Sequence, residues 1–178
     1  MGQDKIETAV FGGGCFWCTE AIFLNLKRAL AVMPGYTGGT IERPSYDQVC
    51  SGAMGHAEVV RVEYDPTVIS YSDLLQALFA THDPTTVNRQ GGDVGTQYRS
   101  VIFTTSQEQS AEAQKVIAEL NASGDFAAPI VTEIKPLENF YEAEESHRNY
   151  YQNNPTAGYC QAVISPKLAK LHSNYAHF

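Results

Sequence analysis

The stretch ETAVFGGGCFWCTEAIFLNLKRAL, residues 7–30, decides how the chain is read. Residues 7–11 are β-prone, and Gly12-Gly13-Gly14 breaks them. From Cys15 to about Leu30 the apolar residues Phe16, Ile22, Phe23, Leu26 and Leu30 recur at helical spacing. A strand that turns through glycines into a helix opened by Cys-x-x-Cys puts Cys15 at a helix N-terminus. Unpaired N–H groups and the macrodipole favour an anion there. A Cys15 pKa below the free value of about 8.5 is therefore expected. Cys18 lies one turn on, within reach for a disulfide or a shared metal. The competing reading makes both cysteines core fillers, but core fillers have no reason to follow three glycines at a helix start. Phe16 and Trp17, the only tryptophan, cannot both face the core of one helix. At least one is expected beside the thiol as an apolar wall.

Outward from this stretch, residues 57–64 alternate as a strand and stop at Asp65-Pro66. Residues 70–81 read as a helix with Ser70 and Asp73 as a capping box. Residues 99–104 form a strand, and 106–122 a helix opened by Ser106 and Gln109 and closed before Gly124. Residues 130–134 are a further strand, and the aromatic-rich 137–152 is expected to be helical. Beyond Tyr151 the chain reads as extended coil. Residues 31–56 and 82–98 match no regular element; rich in Gly, Tyr and Asp, they suit a site built from loops. The alternation of strands and helices predicts an α+β chain, a mixed α/β sandwich with a ferredoxin-like βαβ core, long functional loops and a C-terminal coil. No repeat or linker divides it, so a single domain over residues 1–178 is expected.

The composition narrows the function classes. With 43% hydrophobic residues, the chain has enough apolar material for a real core. A net charge of −8 argues against nucleic acid and anionic membrane surfaces. No apolar run reaches membrane-spanning length, and the opening MGQDKIETAV is polar rather than a signal sequence. Ile6 stands where a myristoylation motif wants Ser or Thr. The cytoplasm is the expected location. Four cysteines do not make a secreted disulfide framework. Structural zinc would need a second close pair, and Cys50 and Cys160 stand far apart, with His56 the one substitute at hand. No P-loop or dinucleotide fingerprint is present.

One carboxylate stands out. Glu58 shares a strand face with Val60 and Val62 by period-two alternation. Lost hydration there disfavours its charged form and raises its pKa, as a general acid requires. The plainer alternative is an edge glutamate turned to water.

Several separated motifs resemble the A-type peptide methionine sulfoxide reductases. They are Gly-Gly-Cys-Phe-Trp-Cys (13–18), Gly-Tyr-Thr-Gly-Gly (35–39), Ser-Tyr-Asp-Gln-Val-Cys-Ser-Gly (45–52), Gly-His-Ala-Glu (55–58), Gly-Asp-Val-Gly-Thr-Gln-Tyr-Arg-Ser (92–100) and Asn-Pro-Thr-Ala-Gly-Tyr-Cys (154–160). The resemblance runs from Phe11 to about Lys170. It implies an oxidoreductase of protein repair under oxidative stress, acting on oxidised proteins, peptides and free methionine sulfoxide with S-epimer selectivity. Cys15 would attack the sulfoxide sulfur and become a sulfenic acid. Glu58 would serve as acid, Tyr46 and Tyr98 as helpers, Asp93 as part of the polar rim, and Phe16 and Trp17 as the substrate wall. A second cysteine, Cys160 or Cys18, would form the disulfide that thioredoxin reduces. The resemblance gives Cys50 and His56 no essential role. It implies no cofactor and no metal; a monomer is expected. The rivals are a thioredoxin-like disulfide oxidoreductase using Cys15 and Cys18, and a non-enzymatic zinc-binding module.

Overall fold

A computed structural model describes residues 5–26, 28–52 and 55–174. Met1–Asp4, on which part of the N-terminal reading fell, lie outside the described residues. The strands are β1 (Glu7–Gly12), β2 (Ala29–Thr37), β3 (Ala57–Tyr64), β4 (Arg89–Gln90), β5 (Asp93–Val94), β6 (Val101–Thr104), β7 (Glu133–Pro136) and β8 (Tyr141–Glu142). The helices are α1 (Phe16–Leu24), α2 (Tyr46–Cys50), α3 (Tyr71–Thr81), α4 (Gln107–Ser123), α5 (Tyr150–Asn153) and α6 (Ser165–Asn174).

Six strands form one sheet in the order β7-β6-β1-β3-β2-β8; only β6 and β7 run parallel. With α1 linking β1 to β2 and α3 linking β3 to β6, the central four strands make the expected ferredoxin-like core. Alternation divides the buried residues between the two faces. Ala9, Phe11, Val60, Val62 and Ile102 pack under the helices, and Val10, Val59, Val101 and Phe103 pack on the other side against Leu137 and Phe140. Antiparallel pairing of β1 with β3, in the register Phe11↔Val60, brings the end of β1 beside the start of β3. The turn into α1 therefore lies next to Glu58, with Tyr36 of β2 paired directly opposite.

The capping signals are realised. The Ser70 hydroxyl accepts the Asp73 N–H (3.0 Å), and the Asp73 carboxylate accepts the Ser70 N–H (3.1 Å). At α4 the Ser106 hydroxyl accepts the Gln109 N–H, and Gly124 closes the helix in a left-handed conformation (φ 76°).

Several expectations need correction. The first helix ends at Leu24, not near Leu30, because Asn25 caps it: its side-chain amide donates to the Ala21 carbonyl (2.7 Å). Leu30, counted toward the helical period, is 58% exposed. The region 31–56 is not irregular; it holds most of β2 and all of α2. Pro34 obscured β2, yet costs no bond to β3. Its carbonyl accepts from Ala143 on the β8 side, and in an antiparallel strand the missing N–H faces that same way. The segment 137–152 is mostly non-helical, containing β8, a 3₁₀ turn (Glu145–His147) and the single turn α5. The expected strand at 130–134 lies slightly later, at Glu133–Pro136.

The C-terminal coil is the largest correction. A π-helical turn (Cys160–Ile164) leads into α6; Ile164 of the turn and Leu168 and Leu171 of the helix are buried together, with α6 packed against α1 and α3. Pro166 is the second residue of α6, directly after the π-helical turn. Among the described residues no helix is long and apolar enough to cross a membrane.

Gly35 fixes the contact of β2 with the chain that covers it. A Cβ there would run into the Phe140 ring and stand 2.5 Å from the Tyr141 carbonyl oxygen. Gly35→Ala should destabilise the protein by about 1–3 kcal/mol, as overpacking does, measured by denaturant unfolding; unchanged stability would contradict this packing.

Candidate active site

Gly14, at φ +98°, makes the turn that seats Cys15 as N-cap of α1. The Cys15 carbonyl accepts the Cys18 N–H (3.0 Å), starting the helix. The two N–H groups before that of Cys18, those of Phe16 and Trp17, have no helical partner and go elsewhere. Phe16 N–H donates to Glu58 Oε1 (3.2 Å), and Trp17 N–H donates to the Cys15 sulfur. One helix terminus thus serves a thiol and a carboxyl together.

Glu58 is 1% exposed, and its Oε2 has no hydrogen-bond partner among the described residues. Burial pushes its pKa up to about 8; the Phe16 N–H offsets part of this and the Asp93 charge adds to it. Cys15 departs from expectation. Burial, then the charge of Glu58 and then that of Cys18, raise its pKa well above the ordinary thiol value. The Trp17 N–H and the Tyr159 hydroxyl oppose the rise without cancelling it. The helix terminus alone predicts a low pKa; desolvation outweighs it. Two buried acids side by side accommodate one negative charge, so Cys15 and Glu58 titrate as a coupled pair.

Tyr46 and Tyr98 stand in the electrostatic field of Glu58, and Tyr98 also in that of Cys15 and Asp93. Burial raises both phenols, which keeps them protonated donors. In this state the Tyr46 hydroxyl is turned to the Cys50 sulfur. Asp93 lines a cleft of ≈ 350 Å³ together with Cys15, Cys18, Tyr159 and Lys167. There the Tyr159 hydroxyl donates to Asp93 Oδ2 (2.8 Å) and lies 3.3 Å from Cys18 Sγ. The structure therefore gathers Cys15, Glu58, Tyr46, Tyr98 and Asp93 around one helix start, although they come from four separate segments.

The adjacent aromatics divide as the helix geometry requires. Phe16 is fully buried, within ring contact of Tyr36 (5.5 Å), His147 (5.4 Å) and Tyr46 (6.3 Å). Trp17 is half-buried. Its indole lies flat on Tyr150 (centroids 3.7 Å apart, 5° between planes) and donates Nε1–H to His147 Nδ1 (3.1 Å). Glu144 ties this cage together by accepting the Tyr36 hydroxyl (3.0 Å) and the Tyr46 N–H (3.0 Å). Sequence reasoning missed Tyr36, Glu144, His147, Tyr150 and Tyr159. The aromatic run 137–152 held the signal for His147 and Tyr150, but read as a helix face it carried no site.

All four cysteines are free. Cys160 does not sit in open coil: it is fully buried in the π-helical turn, close enough to Cys18 for its charge to act there. Cys50 is half-buried beside Tyr46. His56 accepts the Gly39 N–H (3.1 Å) and faces the Ile41 carbonyl (2.6 Å), so it pins the 38–41 loop rather than a thiol. Among the described residues no group of three His, Cys, Asp or Glu side chains is disposed to hold a metal ion.

Comparison with known proteins shows the family. The family model described as peptide methionine sulfoxide reductase matches residues 7–177. A peptide methionine sulfoxide reductase MsrA of Deinococcus radiodurans is 57% identical over 169 residues, covering 95% of this chain and 82% of that protein. The crystal structure of Mxr1 from Saccharomyces cerevisiae in its reduced form superposes with a TM-score of 0.83 at 36% identity, covering 89% of this chain and 91% of Mxr1. Mxr1 in complex with Trx2 gives a TM-score of 0.59 at 27% identity over 84% of this chain and 87% of that one. The chain belongs to the peptide methionine sulfoxide reductase family and is an oxidoreductase.

Proposed function

We propose that the chain reduces methionine S-sulfoxide, in proteins and peptides and as the free amino acid, with Cys15 as nucleophile and Glu58 as general acid. The observation that carries this reading is the buried Glu58 carboxyl, which accepts the Phe16 N–H beside Cys15 at the start of α1. A sulfoxide oxygen leaves only if it is protonated, and a carboxyl whose pKa reaches about 8 still holds a proton at neutral pH. Cys15 sulfur attacks the sulfoxide sulfur while Glu58 protonates the oxygen, with the Tyr46 and Tyr98 phenols donating to it. The oxygen ends on Cys15 as a sulfenic acid, and methionine leaves. Tyr46 must turn from Cys50 to take part. Trp17 forms the accessible wall for the methyl group and side chain, and Phe16 backs it.

Cys18 is the nearer resolving thiol, at i+3 from Cys15 on one helix face. Its sulfur displaces the sulfenic oxygen as water and leaves a Cys15–Cys18 disulfide. Buried Cys160 then exchanges with it once the π-helical turn opens, and thioredoxin reduces the product. The Mxr1–Trx2 complex supports a reductant of that kind. We read the protein as a monomeric single domain working in the cytoplasm, where free thiols persist. Asp93 holds the rim through Tyr159.

The test is turnover of dabsylated or peptide methionine sulfoxide, with each epimer offered separately. The S-epimer should be consumed with thioredoxin or dithiothreitol and the R-epimer left; consumption of neither would overturn the proposal. Cys15→Ser should abolish even one turnover. Glu58→Gln should slow the first turnover by roughly 10²-fold, the usual loss for a general acid. It should also collapse a bell-shaped pH profile to a single ionisation, since the reactive state holds one proton across the pair; an unchanged bell would remove Glu58 from that role. With dithiothreitol withheld, the Cys160→Ser variant should still give one stoichiometric burst of methionine, read by quenched flow; absence of the burst would place Cys160 in the chemical step itself.

The same carboxyl makes a stability prediction. The folded-state pKa of about 8 lies above the ordinary 4.5, so the folded chain keeps a proton that the unfolded chain releases. The stability Glu58 contributes is complete below pH 4.5 and drains away as the pH rises through about 8. Glu58→Gln should therefore gain stability over the wild type with rising pH, on the order of 4 kcal/mol between acid and pH 9. Urea unfolding across that range checks it; parallel curves would contradict a buried neutral Glu58.

A further inference from the structure

Tyr150, which lies flat on Trp17, stands on a helix of four residues, too short to hold its own geometry. The residue before it, Asn149, is in the left-handed region at φ 53°. What fixes this corner is a buried carboxylate on α1. Glu20, one turn beyond Trp17 and 2% exposed, accepts the Asn149 N–H at Oε2 (3.0 Å) and the Tyr150 N–H at Oε1 (3.3 Å). Burying a carboxylate on an otherwise apolar helix is costly unless it is paired, and both oxygens are engaged. The indole and the clamp on its stacking partner thus rise from neighbouring turns of one helix face.

We infer that Glu20 is a positioning residue for the substrate wall: its carboxylate clamps the Asn149–Tyr150 backbone so that the Tyr150 ring holds the Trp17 indole where the sulfoxide side chain docks. The inference rests on the sulfoxide-reductase reading for what docks there, and Glu20 itself touches no substrate. Loss of the clamp leaves Cys15 and Glu58 in place but lets the indole swing. Substrate binding then suffers more than the chemical step does.

The full chain serves for the test, with a methionine sulfoxide peptide as substrate and the single tryptophan as reporter. Glu20→Ala should raise KM roughly tenfold, the scale of a lost apolar pocket contact, with kcat close to wild type. Trp17 emission should shift to the red and become more open to acrylamide quenching. Glu20→Gln, which keeps one accepting oxygen, should fall between the two. The double variant Glu20→Ala/Tyr150→Leu should be no worse than Tyr150→Leu alone. Should Glu20→Ala fail to fold, Glu20→Asp, shorter by one methylene, carries the same readouts in the same directions. Additive effects, or a fall in kcat with KM and emission unchanged, would overturn the clamp. A wild-type chain that turns over no sulfoxide would sink the functional reading instead, and emission and quenching would still test the clamp.

Discussion

The Glu58 carboxyl facing the first backbone N–H of α1 is the contact on which the site turns. Buried on the helix side of β3, it has among the described residues one donor for Oε1 and none for Oε2. An ionised carboxylate so poorly served loses several kcal/mol of hydration, so the group retains its proton. Cys15 shares the burial and feels the same charge. Neither acid is made reactive by itself. In the proposed step Glu58 gives its proton to the sulfoxide oxygen and takes up the thiol proton of Cys15, so the pair never carries more than one negative charge.

The fold is arranged to make that proximity cheap. Antiparallel pairing lays the last residues of β1 and β2 beside the first residues of β3. Three strand ends therefore converge on one rim, where the glycine turn delivers Cys15. The chain from Tyr141 to Tyr159 then folds over this rim and supplies aromatic cover. Glu144 and Glu20 anchor it through backbone N–H groups as well as side chains. Backbone anchoring suits a segment with little regular structure of its own, since each bond satisfies a donor that no helix or ladder would.

Much of this was legible in the sequence, and the exceptions have physical causes. The β3 strand was visible because its residues alternate with period two, and α3 and α4 because serine caps and Gly124 mark their ends. Glu58 was visible because its neighbours two and four residues on are both valine. The second strand was lost because Leu26 and Leu30 extend a helical period by coincidence and Pro34 argues against a ladder. The final helix was lost because its buried apolar residues are only Leu168 and Leu171, preceded by Ile164, within a polar, proline-containing run. The raised Cys15 pKa was hidden for another reason: a helix terminus is local and readable, whereas desolvation comes from residues distant in the chain. The cage around Trp17 is hidden likewise, being made of side chains from segments far apart in the chain.

The central claim concerns one atom. Replace Cys18 and Cys160, reduce the protein, add one equivalent of a methionine S-sulfoxide peptide, and weigh the fragment carrying Cys15. The account predicts that the sulfur of Cys15 gains one oxygen while the peptide loses one. A peptide reduced to methionine with the Cys15 fragment unchanged in mass, and no trapping of a sulfenic acid by dimedone, would contradict it.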